Sequence, residues 1–108
     1  MGFRYARDAA IAALLGGQVQ HEARDDIDDK TLLATGAVTS EGVVRLLRAC
    51  RGTQYSCSPH HQLVKNVEVH EFKPIGSLEP GGPKLKWYIK LYFLDPDTWF
   101  ISVHHSKG

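Results

Sequence analysis

Between Lys86 and His105 the chain reads KWYIKLYFLDPDTWFISVHH, and this stretch leaves few choices of fold. Trp87, Ile89, Leu91 and Phe93 alternate with Tyr88, Lys90, Tyr92 and Leu94, the two-residue period of a strand with one face on a core. After Asp95-Pro96-Asp97 the alternation resumes, with Trp99, Ile101 and Val103 set against Phe100, Ser102 and His104. Two such runs around a short turn predict a β-hairpin. Opposed residues of an antiparallel pair share a face, so only an odd loop keeps both apolar sets together. A loop over Asp95–Asp97 sets Leu94 opposite Thr98, Tyr88 opposite His104 and Lys90 opposite Ser102. A slip by two places Lys90 opposite His104, and either register gathers Tyr88, Lys90, Ser102 and His104 into one polar patch.

The sequence upstream predicts helices. Tyr5–Leu15 is rich in Ala and Leu and closes on Gly16-Gly17, which predicts a short first helix. Asp25, Asp26, Asp28 and Asp29 run into Lys30-Thr31-Leu32-Leu33-Ala34. Carboxylates so placed complement the positive end of a helix beginning there, and no glycine turn or closing glutamate follows at calcium-loop spacing. Ser40 is the expected N-cap of a helix reaching Arg51. On that helix Val43, Leu46, Leu47 and Cys50 share one face, while Arg45, Arg48 and, less closely, Arg51 share another, either a solvated stripe or a phosphate-binding one.

Gly52 to His61 reads as a polar turn region that ends the helical half. From Val67 the period changes to two, with Val67 and Val69 on one face and Glu68, His70 and Phe72 on the other. Pro74–Leu85 contains three prolines and three glycines and reads as a loop. Helices followed by a three-stranded antiparallel sheet make an α+β protein. One domain is expected over 1–108, its helical half about 1–58 and its sheet half about 66–106.

Hydrophobic residues form 43% of the chain and charged residues 23%, which argues against disorder. The net charge is only +1, so a nucleic-acid partner would have to be attracted by a local patch. No apolar run is long enough for a membrane span, and Arg4, Arg7 and Asp8 interrupt what would be the apolar region of a signal peptide. A cytoplasmic protein without membrane contact is expected, and in that compartment Cys50 and Cys57 are expected as free thiols.

Six histidines in 108 residues require an account. Imidazole exchanges protons near neutral pH, and with Tyr and Lys nearby it suits cleavage of RNA through its own 2′-hydroxyl. A base removes the 2′ proton, a cation stabilises charge developing at phosphorus, and an acid protonates the leaving 5′ oxygen. His70 and His104 are the candidate acid and base, Lys90 or Lys73 the cation, and Tyr88 the group that orients the phosphate or stacks on a base. Ser102, Tyr55, His61, Arg45, Arg48, Lys84 and Lys86 complete the candidate substrate-binding set. Cys50, Cys57, His60 and His61 could instead hold zinc, but the cysteine spacing is long for a knuckle, adjacent histidines rarely face one ion, and Cys50 belongs to an apolar helix face. No metal ion and no cofactor is expected at the site.

Several short motifs occur in a familiar order: Gly17-Gln18-Val19, Gln54-Tyr55-Ser56-Cys57-Ser58, Phe72-Lys73-Pro74, Tyr88-Ile89-Lys90 and Ile101-Ser102-Val103-His104. In this order the chain resembles the MqsR family of toxin ribonucleases, RelE-like α+β proteins of bacterial type II toxin–antitoxin systems. The resemblance implies a RelE- or barnase-like fold, an endoribonuclease toxin acting on RNA, and a cognate antitoxin that covers the site. It implies catalytic roles for a lysine after the first tyrosine, a glutamine before the aromatic-basic-proline, the hairpin tyrosine and a terminal lysine. Only Tyr88 is carried over unchanged; Ser56 or Cys57, Val69 or His70, and His104 stand at the other positions. A site rebuilt around histidine is the expectation.

A different class of function uses the same fold without catalysis. A catalytically inactive RNA- or protein-binding module would take phosphates on Arg45, Arg48, Lys84 and Lys86 and bind RNA in a salt-sensitive way. Hairpin edges that pair between chains would make a homodimer.

Overall fold

The computed structural model of the chain describes residues 2–17, 19–20, 38–59, 68–95 and 98–105. Helix α1 spans Phe3–Leu15 and buries Ala6, Ala10, Ala13 and Leu14, one side of a helical wheel. The Gly16 N–H bonds back to the Ala12 carbonyl, and Gly17 follows at φ 71°, a backbone conformation that glycine adopts without a Cβ penalty. Helix α2 spans Ser40–Ala49 and buries Val43, Val44, Leu46 and Leu47. Its N-cap is Thr39 rather than Ser40, since the Gly42 N–H donates to Thr39 Oγ1 at 3.1 Å. The expected helix after the aspartate cluster at Asp25–Asp29 lies outside the described residues, as do His60, His61 and Val67.

The strands are β1 (Val19–Gln20), β2 (Tyr55–Pro59), β3 (Glu68–Phe72), β4 (Ile75–Gly76), β5 (Leu85–Asp95) and β6 (Thr98–His105). They pair in the order β1-β6-β5-β3-β2, with β4 on the start of β5. All pairs are antiparallel except β1 with β6. The expected three strands are β3, β5 and β6, so the architecture is α+β with helices first and sheet last. Strand β2 falls where a polar turn region was expected. It is an edge strand with one neighbour and exposes Ser56 and Cys57, so it carries little hydrophobic alternation.

The hairpin register is as expected over its length, with Tyr88 opposite His104 and Lys90 opposite Ser102. At the turn Asp95, not Leu94, pairs with Thr98, and a register shift lies between Phe93 and Asp95. A bulge absorbs the odd residue that the loop was expected to contain, and the facing of the strands is preserved.

Glu68, His70 and Phe72 share one face of β3 as expected, but that face is the one that meets the core. Phe72 pairs with Ile89 and His70 with Leu91, and these partners pair in turn with Val103 and Ile101. Phe72, Ile89, Leu91, Ile101 and Val103 are buried in one core cluster with the buried faces of α1 and α2. His70 is therefore on the helix-facing side of the sheet and fully buried, while Val69 and Glu71 are on the outer side. Burial of a phenylalanine ring is worth about 1.5–3 kcal/mol, enough for Phe72 to set the phase of a short strand. Its ring stacks on Tyr55 at 5.1 Å between centroids. Trp87 completes the core, its indole N–H donating to the Gly76 carbonyl at 3.1 Å. Among the described residues no helix is long and apolar enough to cross a membrane.

Candidate active site

The helices cover one face of the sheet and leave a polar patch on the other. Glu71 of β3, Lys90 of β5 and Ser102 of β6 form one cross-strand row; Tyr88 and His104 form the adjacent one. Residues two apart on a strand face the same way, so five side chains from three strands share one surface.

Tyr88 organises this patch. Its hydroxyl donates to Glu71 Oε2 at 2.7 Å, a short, charge-assisted hydrogen bond. Its ring stacks on the His104 imidazole, with centroids 4.8 Å apart and planes 20° from parallel. From the β3 side the Lys73 ammonium lies 5.9 Å from the centre of the same ring, within cation–π range. Burial, followed by the bond to Glu71 and the charge of its carboxylate, holds the Tyr88 phenol well above its ordinary pKa. Tyr88 is thus a donor at neutral pH, unsuited to accept a proton.

His104 Nδ1 lies 2.9 Å from the His105 carbonyl oxygen. A carbonyl only accepts, so Nδ1 carries hydrogen and Nε2 is the nitrogen left to exchange a proton. Among the described residues, Tyr88 engages one of the two Glu71 oxygens. The patch therefore combines a carboxylate, an oriented imidazole, two lysines and a phenol on one half-open surface.

Of the residues expected at the site, Tyr88, Lys90, Ser102 and His104 come together, and Lys73 joins them. Lys86 is exposed on the same strand, two residues before Tyr88. His70 does not join: it is buried on the opposite face, with its Nδ1 2.8 Å from the Tyr55 hydroxyl, so Tyr55 leaves the patch with it. The expected acid–base pair of His70 and His104 is corrected on this ground. Arg45, Arg48 and Lys84 line a groove of about 1040 Å³ between α2 and residues 75–84. Because α2 packs on the core side of the sheet, that groove is separate from the patch. His61 lies outside the described residues. Cys50 is buried at the end of α2 and Cys57 is exposed on β2; both are free thiols.

Glu71 is the residue that sequence reasoning missed. The signal was its alternation with Phe72: once Phe72 faces the core, Glu71 must face outward beside Lys90.

No family model, curated protein or solved structure matches this chain.

Proposed function

We propose that the protein is an endoribonuclease that cleaves RNA by attack of the 2′-hydroxyl on the adjacent phosphate, with Glu71 and His104 as the proton-transfer pair. The observation that supports this most is the Tyr88 side chain, which holds Glu71 by a 2.7 Å hydrogen bond and stacks on His104 at 4.8 Å. A carboxylate and an imidazole are thereby fixed on one surface.

The other oxygen of Glu71 takes the 2′ proton as the 2′ oxygen bonds to phosphorus. His104, protonated at Nε2, gives its proton to the 5′ oxygen as the phosphorus–oxygen bond breaks. The products are a 2′,3′-cyclic phosphate and a 5′-hydroxyl end. Lys90 and Lys73 stabilise the negative charge gathering on the non-bridging oxygens. Tyr88 keeps Glu71 in place, and Lys86 and Ser102 extend the polar surface along which the strand lies.

The resemblance to the MqsR family supports extending this activity to a cytoplasmic toxin of a toxin–antitoxin pair, with an antitoxin covering the outer face. Incubation of the purified protein with total RNA in the presence of a chelator, followed by end-group analysis, tests the chemistry. Cyclic-phosphate ends that disappear in His104→Ala are expected. RNA left intact by the folded wild-type protein would defeat the proposal.

The groove lined by Arg45, Arg48 and Lys84 favours a second reading, a binding module for RNA or protein phosphates. Glu41 and Glu79 line the same groove and offset its positive charge, so the outer face has the stronger case.

A further inference from the structure

On the helix-facing side of the sheet, three side chains of different chemistry converge where the edge strand β2 pairs with β3. Cys57 of β2 is paired directly with His70 of β3, and Glu68 is two residues before His70 on the same strand and face. Their ligand atoms all lie within 4.8 Å of one another. Cys57 Sγ is 3.5 Å from Glu68 Oε2, and the same oxygen is 3.9 Å from His70 Nε2. None of these residues belongs to the patch around Tyr88, which is on the other face.

His70 Nε2 supplies the second, independent indication of a ligand. The side chain is fully buried, and this nitrogen has no hydrogen-bond partner among the described residues. The other nitrogen, Nδ1, is 2.8 Å from the Tyr55 hydroxyl. If Tyr55 donates to Nδ1, Nε2 holds a hydrogen with no acceptor; if Nδ1 donates to Tyr55, Nε2 holds an unused lone pair. Either tautomer leaves a buried polar atom unsatisfied, an arrangement native structures seldom retain without a use. A metal ion at Nε2 resolves it, with Nδ1–H donating to the Tyr55 oxygen as the outer partner that metal-bound histidines usually have.

We infer that Cys57, Glu68 and His70 form a three-ligand site for a zinc-class divalent ion, oriented by Tyr55 and open to water at the fourth position. Thiolate, imidazole and carboxylate together suit zinc better than the oxygen-seeking magnesium or calcium. Around a tetrahedral zinc, bonds of about 2.3 Å to sulfur and about 2.0–2.1 Å to nitrogen and oxygen set ligand atoms about 3.3–3.6 Å apart. The sulfur–carboxylate distance already meets this. Glu68, whose side chain is half exposed, needs to close about half an ångström on Nε2, and the exposed Cys57 sulfur, within 4.8 Å of the imidazole ligand nitrogen, must close on it by up to about 1.2 Å.

Burial acts differently on the histidine and the cysteine. Burial holds the His70 imidazole below its ordinary pKa and therefore in the neutral, ligating form. Burial, and then Glu68, raise the Cys57 thiol, so the metal-free thiol keeps its proton and donates it to Glu68. On binding, the sulfur–metal bond forms with the electron pair left behind, and the proton leaves to solvent.

The test is titration of the reduced, metal-free full chain with Zn²⁺ against a chromophoric chelator, and with Co²⁺ as a spectroscopic probe. One zinc ion per chain is expected, with affinity falling at least tenfold in Cys57→Ser and in Glu68→Gln. Both substitutions fall on exposed side chains, so the variants fold. Co²⁺ is expected to give a thiolate charge-transfer band that is absent in Cys57→Ser. Tyr55→Phe keeps the ring on Phe72 and is expected to weaken zinc binding by about 10–100-fold while the band persists at saturating cobalt. The site is overturned if the wild-type chain does not compete with the chelator, if either exposed-ligand variant binds zinc as tightly as the wild type, or if the cobalt band survives Cys57→Ser.

Discussion

The Tyr88 hydroxyl donates to Glu71 Oε2 at 2.7 Å, across strands whose sequence positions are 17 apart. A phenol is an unusual choice to hold a carboxylate, because it adds no charge. It orders Glu71 by a directional hydrogen bond alone.

Replacing Tyr88 by Phe removes that bond and keeps the ring that stacks on His104. A hydrogen bond to a charged group is worth about 1.5–3 kcal/mol, so cleavage is expected to slow by about 10–100-fold. The melting temperature, measured alongside, is expected to fall by several degrees, since the same bond contributes to the fold, so rates are compared at temperatures where both proteins are folded.

Glu71 and Phe72 are adjacent on β3 but face opposite sides, and substitutions there are expected to separate activity from stability. Phe72→Ala empties a fully buried site and is expected to cost about 3–5 kcal/mol in urea unfolding. Glu71→Gln is expected to unfold within about 1 kcal/mol of the wild type yet to lose RNA cleavage. If Glu71→Gln proved the less stable of the two, the phase of the strand would be wrong.

Stability is expected to fall in alkali. Burial pushes the Cys50 thiol up to about 11, with nearby backbone hydrogen bonds and Arg7 opposing it in part, and burial with Glu71 raises Tyr88. A raised pKa gives stability that is whole below the unfolded-state value and is lost as pH climbs toward the folded one. For Cys50 that window opens at about pH 8.5–9 and for Tyr88 at about pH 10. Thermal unfolding at a series of pH values above neutrality is expected to show a declining midpoint there. Tyr88→Phe is expected to flatten the upper part of the decline.

The two thiols are expected to react on different timescales. Cys57 is exposed and Cys50 is 4% exposed in the core. A thiol reagent added to the native protein is expected to modify one cysteine per chain, and Cys57→Ser to abolish that phase. Cys50 is expected to react only when the chain opens.

The hairpin was legible because two long alternating runs admit one facing, so Tyr88, Lys90, Ser102 and His104 could be gathered without coordinates. The bulge between Phe93 and Asp95 was not, since a loop residue and a bulged residue satisfy the same odd count. Strand β3 is short and carries apolar residues on both faces, Val69 on one and Phe72 on the other; periodicity alone could not choose between them. That ambiguity sent His70 to the wrong side and hid Glu71. Strand β2 was hidden by its polar composition, and with it the pairing that brings Cys57 to His70.

On the proposed mechanism the outer face of the sheet cleaves RNA through Glu71 and His104. The most direct measurement compares the initial rate of cleavage of an RNA oligonucleotide with that of its all-2′-deoxy counterpart, by the wild type, Glu71→Gln and His104→Ala at matched folded fractions. Cleavage of RNA alone, with cyclic-phosphate ends and rates lower by at least about 100-fold in each variant, is expected. Cleavage of the deoxy strand, or variants as fast as the wild type, would contradict it.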